Sequence, residues 1–116
     1  MKNYVTATVE GFVTRDPVLR TTKTGKNVCS FSLAVNHFSK EAAEPGVSYI
    51  DVETWEKLAE SCFQKIAKGK RVIVIGGLRQ DRWVGSDGKN QAKIKIVGNE
   101  VRFIEQPSET SLKEAV

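Results

Sequence analysis

Hydrophobic and polar residues alternate with period two over much of the chain. From Tyr4 to Val13, Val5, Ala7, Val9 and Val13 share one face, while Tyr4, Thr6, Thr8 and Glu10 share the other. Such Val- and Thr-rich alternation predicts a half-buried strand, which Gly11 interrupts where a bulge or bend lets it curl. Asn27 to Phe38 repeats the pattern, pointing Cys29, Phe31, Leu33 and Val35 inward. Tyr49 to Trp55 forms a third strand with Ile50, Val52 and Thr54 inward and Tyr49, Asp51, Glu53 and Trp55 outward. The period then changes. Leu58, Cys62 and Ile66 recur every fourth residue with Ala59 and Phe63 beside them, predicting a short amphipathic helix over Lys57–Ala67 with Gly69 as its C′ residue. Lys65 and Lys68 suit the negative end of that helix.

Val72-Ile73-Val74-Ile75 is continuously apolar, so both faces of this fourth strand are expected to be covered. Gly76-Gly77 should bend it before Leu78–Trp83, and Ser86-Asp87-Gly88 marks a hairpin tip. The fifth strand, Lys89 to Val97, places Ala92, Ile94 and Ile96 inward and Gln91, Lys93 and Lys95 outward; Val101 and Phe103 follow a bend at Gly98. Asp16-Pro17, Thr24-Gly25 and Pro45-Gly46 mark the remaining turns.

Five strands with one short helix between the third and fourth predict an all-β fold: an OB-fold, a five-stranded Greek-key barrel whose closure removes exposed sheet edges. An SH3-like barrel is the main rival, but it does not call for that helix. The domain should span residues 1–104. Alternation stops at Glu105 and Pro107 blocks a strand, so 105–116 is expected to be a short flexible tail.

The 116 residues leave room for one core. Cys29 and Cys62 lie on apolar faces without zinc-site spacing, so they read as small buried hydrophobes. No apolar run reaches membrane-spanning length and no signal peptide opens the chain, which makes the cytoplasm, with nucleoid association, the expected location. Net charge is +4; three acids and one base from Glu105 onward leave residues 1–104 with +6. A basic body is a weak sign of a polyanionic partner.

Candidate chemistry sharpens that sign. Tyr49, Trp55 and Trp83 occupy polar strand faces, and Phe38 adjoins a loop. Aromatic platforms can stack any base, and Arg79, Arg82, Lys89, Lys93 and Lys95 lie close enough in sequence to hold a phosphate backbone beside them. Strands favour aromatics in any case, so each alone reads equally well as a half-buried packing residue. Catalysis finds little to work with. His37 is the single histidine, and acids two apart on a strand, such as Asp51 and Glu53, more often serve solubility or ion pairs. No catalytic residue, metal ligand or cofactor is expected.

The runs Gly11-Phe12-Val13-Thr14-Arg15-Asp16-Pro17, Phe31-Ser32-Leu33-Ala34-Val35, Tyr49-Ile50-Asp51-Val52-Glu53-Thr54-Trp55, Lys57-Leu58-Ala59-Glu60 and Val74-Ile75-Gly76-Gly77-Leu78 follow one another in order. With Lys68-Gly69-Lys70, Trp83, Asp87-Gly88 and Val101-Arg102-Phe103, they make Tyr4 to Phe103 resemble bacterial single-stranded DNA-binding proteins. The resemblance implies an OB-fold, a homotetramer with DNA wrapped around its outside, and sequence-independent protection of single strands in replication, recombination and repair. It places base stacking on Tyr49, Trp55 and Trp83, with a further position near Phe38. Two features depart from the family. Asp51 and Glu53 lie on the outer face where phosphates would be repelled, and the acidic, aromatic-ended tip that recruits replication and repair proteins is absent from Glu105–Val116. The alternative is an OB-fold accessory protein of primosomal type, acting mainly through protein partners.

Overall fold

The computed structural model describes residues 5–38, 41 and 46–104. Its elements, in chain order, are β1 (Thr6–Val13), β2 (Val18–Thr21), β3 (Asn27–His37), β4 (Gly46–Trp55), α1 (Glu56–Lys65), β5 (Arg71–Val84) and β6 (Asn90–Ile104). Hydrogen bonding runs β1-β5-β6-β4-β3, and a further β1–β3 pairing closes these five strands into a ring. Every contact in the ring is antiparallel except β4–β6, where Asp51, Val52 and Glu53 lie opposite Lys95, Ile96 and Val97 in parallel. This ring, with its helix between the third and fourth barrel strands, is the OB architecture expected from the sequence. The expected tail, residues 105–116, lies outside the described residues, as does most of the loop between β3 and β4.

Inward residues of the ring and the apolar stripe of α1 form one core: Val13, Cys29, Phe31, Leu33, Val52, Ala59, Cys62, Ile66, Val72, Val74 and Ile96. Both cysteines are buried and unpaired, as their apolar positions predicted. Gly11 stays in register opposite Val72 where β1 passes from β5 to β3; a Cβ there would lie 2.7 Å from the Ala34 carbonyl oxygen. Gly76 marks a register shift between β5 and β6, and the Val97 carbonyl occupies the space a side chain would need. The strand continues through this irregularity, where a full bend was expected.

Several expectations change. Among the described residues there is a sixth strand, β2, which pairs with β3 and lies outside the ring. The helix starts one residue earlier and ends two earlier than its periodicity indicated. Ile66 is buried but extended, and Gly69, expected as C′, instead occupies a turn whose N–H donates to the Val13 carbonyl at 2.8 Å. That tie to β1 draws the chain out of the helix. Phe63 is 46% exposed and Ile73 and Ile75 are half-buried, so the outer face of β5 is only partly covered. Ile94 is 58% exposed and Ala92 is also exposed. Both have the inward parity of Ile96, but the β5–β6 hairpin has by then run past the core and become an arm with two exposed faces.

Candidate nucleic-acid interface

Residues directly opposite each other across a sheet share a face, so the ladders define the outer surface of the barrel. On β4 that face carries Tyr49, Asp51, Glu53 and Trp55. Their partners on β3 are Ala34, Ser32, Ser30 and Val28. Val28 is fully buried although its parity is outward, placed beside Trp55 on one side and Arg20 of β2 on the other. The parallel β4–β6 step brings Lys95 level with Asp51. From there Arg79, Asp81 and Trp83 continue onto β5, opposite Lys95, Lys93 and Gln91.

The resulting surface is concave. A groove of about 430 Å³ is lined by Arg15, Asp16, Val18 and Arg20 at and before β2, Ser30 and Ser32 of β3, Asp51 and Glu53 of β4, and Asp81, Lys93 and Lys95 of β5 and β6. Tyr49 is 71% exposed and Trp83 is 48% exposed on this same outer surface, while Trp55 is half-buried. Phe38 is 83% exposed just beyond the end of β3.

Charges in the groove are arranged in pairs. Lys93 forms an ion pair with Asp51. Lys95 lies between two carboxylates, its Nζ 2.6 Å from Glu53 Oε2 and 2.7 Å from Asp81 Oδ2. Glu53 is 6% exposed, and its second oxygen accepts the Trp55 indole N–H at 2.6 Å. Burial works to lower the Lys95 pKa, but hydrogen bonds and charge from Asp81 and Glu53 win and raise it. The Lys95 hydrogen bond lowers the Asp81 pKa against desolvation, and the charges of Lys95 and Arg79 lower it further. The two acids expected to repel phosphate are therefore already balanced by lysines.

The nine residues singled out from sequence divide accordingly. Tyr49, Trp55, Trp83, Arg79, Lys93 and Lys95 come together on one face, while Phe38 lies exposed just beyond the end of β3. Arg82 does not; its partner is Ala92, on the opposite face of the arm from Trp83. Lys89 sits at the hairpin tip, where its N–H donates to Asp87. Arg79, Arg82 and Lys89 have no ion-pair partner among the described residues, and neither do Arg15 and Arg20. Arg15 and Arg20 were not among the sequence candidates as cationic contacts, because only the unrecognised strand β2 brings Arg20 beside β3. Among the described residues no cluster of three or more His, Cys, Asp or Glu is placed to hold a metal ion, and no helix is long and apolar enough to cross a membrane.

Comparison with known proteins meets this geometry. The sequence profile of the single-strand binding protein family matches residues 5–104. The chain belongs to that family. A single-stranded DNA-binding protein of Caldanaerobacter subterraneus is 36% identical over 99 residues, covering 84% of this chain and 66% of the relative. One from Chlorobaculum tepidum is 33% identical over 100 residues, covering 83% and 68%, and one from Staphylococcus aureus is 34% identical over 96, covering 82% and 62%. The chain thus spans about two thirds of the length of these SSB-family relatives. A solved Plasmodium falciparum SSB in complex with ssDNA superimposes with a TM-score of 0.79 at 20% identity, over 90% of this chain and 98% of that one. At that identity the likeness speaks for the fold alone.

Proposed function

We propose that this chain binds single-stranded DNA without sequence preference and protects it during replication, recombination and repair, as a binding protein with no catalytic role. The carrying observation is the gathering of Tyr49, Trp55 and Trp83 on one outer face around a cation-edged groove. Bases stack on these rings, with Phe38 as a further platform, each contact being worth roughly 1–3 kcal/mol. Arg15 and Arg20 receive phosphates along the groove, and Arg79, Lys89 and Arg82 extend the path onto and around the arm. Lys93 and Lys95 take part only by giving up Asp51, Glu53 or Asp81. Residues 1–104 carry this activity, in the cytoplasm at the nucleoid.

Self-association as a homotetramer is part of the proposal. Phe12 is 36% exposed, and Ile73 and Ile75 are half-covered on the same outer face of β1 and β5. Such an apolar surface is what a second copy would cover. Light scattering should give four times the chain mass at micromolar concentration; a monomer would contradict this.

The site is tested by Trp83→Ala. The ring is exposed on the arm, so the melting temperature should change little while oligo-dT affinity falls about tenfold or more. Lost stability with unchanged affinity would place Trp83 in packing. A primosomal-type accessory would instead bind oligo-dT weakly from the outset.

A further inference from the structure

We infer that Glu53 is a positioning residue for the Trp55 indole, a role that rests on reading Trp55 as a stacking platform. Glu53 is 6% exposed, more deeply sheltered than its half-buried neighbours Ser30, Ser32, Asp51, Trp55 and Lys95 on the same face. A carboxylate sheltered that far is stable only when its oxygens are engaged. One oxygen accepts the Trp55 Nε1–H and the other meets Lys95, both at 2.6 Å. The indole has a single donor, so this one bond determines which way the ring is turned.

The anchor is itself anchored. Lys95 also binds Asp81, which shares its face of the arm with Trp83 two residues on. A chain of contacts Trp55–Glu53–Lys95–Asp81 therefore crosses β4, β6 and β5 beneath the groove. With its rotamer fixed before DNA arrives, Trp55 gives up little side-chain freedom when a base stacks on it. Glu53 acts here through its oxygen, not its charge. Glutamine retains that function and leucine abolishes it.

The experiment measures oligo-dT affinity and melting temperature for Glu53→Leu, Glu53→Gln, Trp55→Phe, Trp55→Ala and the Glu53→Leu/Trp55→Phe pair at moderate salt. Lys95 keeps Asp81 in the leucine variant, so the ion network is not orphaned. Glu53→Leu is expected to weaken binding about three- to tenfold, the cost of immobilising one side chain on binding. Glu53→Gln should restore affinity, and the ¹⁵N relaxation of the indole N–H should report a mobile ring in the leucine variant only. Trp55→Phe keeps a ring but removes the donor, so adding Glu53→Leu to it should cost nothing further. Should leucine unfold the chain, Trp55→Phe alone carries the test by the same loss of affinity at retained melting temperature. Equal losses from Glu53→Leu with and without the indole would overturn the inference. Unchanged affinity in Trp55→Ala would instead overturn the stacking role beneath it.

Discussion

Asp51→Asn should make DNA binding more sensitive to salt, although it removes a negative charge from the groove. In the native chain the Lys93 ammonium is already neutralised by Asp51, with side chains 62% and 37% exposed. Lys93 then has no need of a phosphate. Deleting the carboxylate's charge frees it to neutralise one more phosphate per protomer, and for single strands each such contact steepens log Kobs against log salt by about 0.7. Between about 0.05 and 0.2 M salt, that makes the fall in affinity roughly 2.6-fold larger than in the native chain. Stability should barely move, because exposed pairs of this kind contribute about 0–1 kcal/mol. The assay is anisotropy of labelled oligo-dT across a salt series, with Arg20→Gln as its mirror. Arg20 has no ion-pair partner among the described residues, so its loss should flatten the slope by about 0.7. If Asp51→Asn leaves the slope untouched, Lys93 is not held in reserve and the charge pairing drawn here does not govern binding.

Glu56 opens α1 with a φ of +58°, a left-handed conformation that costs a residue with a Cβ about 1–2 kcal/mol. Glu56→Gly should raise stability by about 0.5 kcal/mol after glycine's own entropy cost, and Glu56→Ala should not; thermal melts at fixed protein concentration would show the reverse order if the strain is absent. Burial and the neighbouring Cys62 push the Cys29 thiol up to about 11 against a hydrogen bond from Thr54, and burial also raises Cys62. Both should react with a thiol reagent only after unfolding, so fast labelling of native protein near neutral pH would refute their placement. Because the folded pKa of Asp81 lies below its unfolded value of about 3.9, its contact with Lys95 contributes stability above that value and loses it as pH falls through the folded pKa. The melting difference between native chain and Asp81→Asn should hold from neutral pH to about 5 and close in stronger acid; a difference persisting at the acid end would mean another cause.

Alternation located four of the five barrel strands and the inward set Cys29, Phe31, Leu33, Val52 and Ile96, because a buried face imposes period two wherever the core reaches, and the continuous apolar run Val72–Ile75 marked the other. It does not say how far the core reaches. Ala92 and Ile94 keep the inward parity of Ile96 yet lie on the arm, beyond anything to pack against. β2 escaped notice because four residues with one half-covered side chain, Leu19, carry almost no periodic signal. The exposed aromatics Tyr49 and Trp83 were legible as apolar residues at polar positions. That Arg82 faces away from Trp83 was also legible, since neighbours on a strand always do. The balance of Glu53 and Asp51 by lysines some forty residues later was not, because it depends on the parallel β4–β6 contact, which leaves no local trace.

The most direct test of the central claim is a titration following the fluorescence of Trp55 and Trp83 with oligo-dT, a mixed-sequence single strand and its duplex. Stacking bases on these rings should quench emission at nanomolar concentrations for both single strands, whereas duplex, whose bases are already stacked, should bind far more weakly. Equal affinity for the duplex and its own single strand would contradict the account.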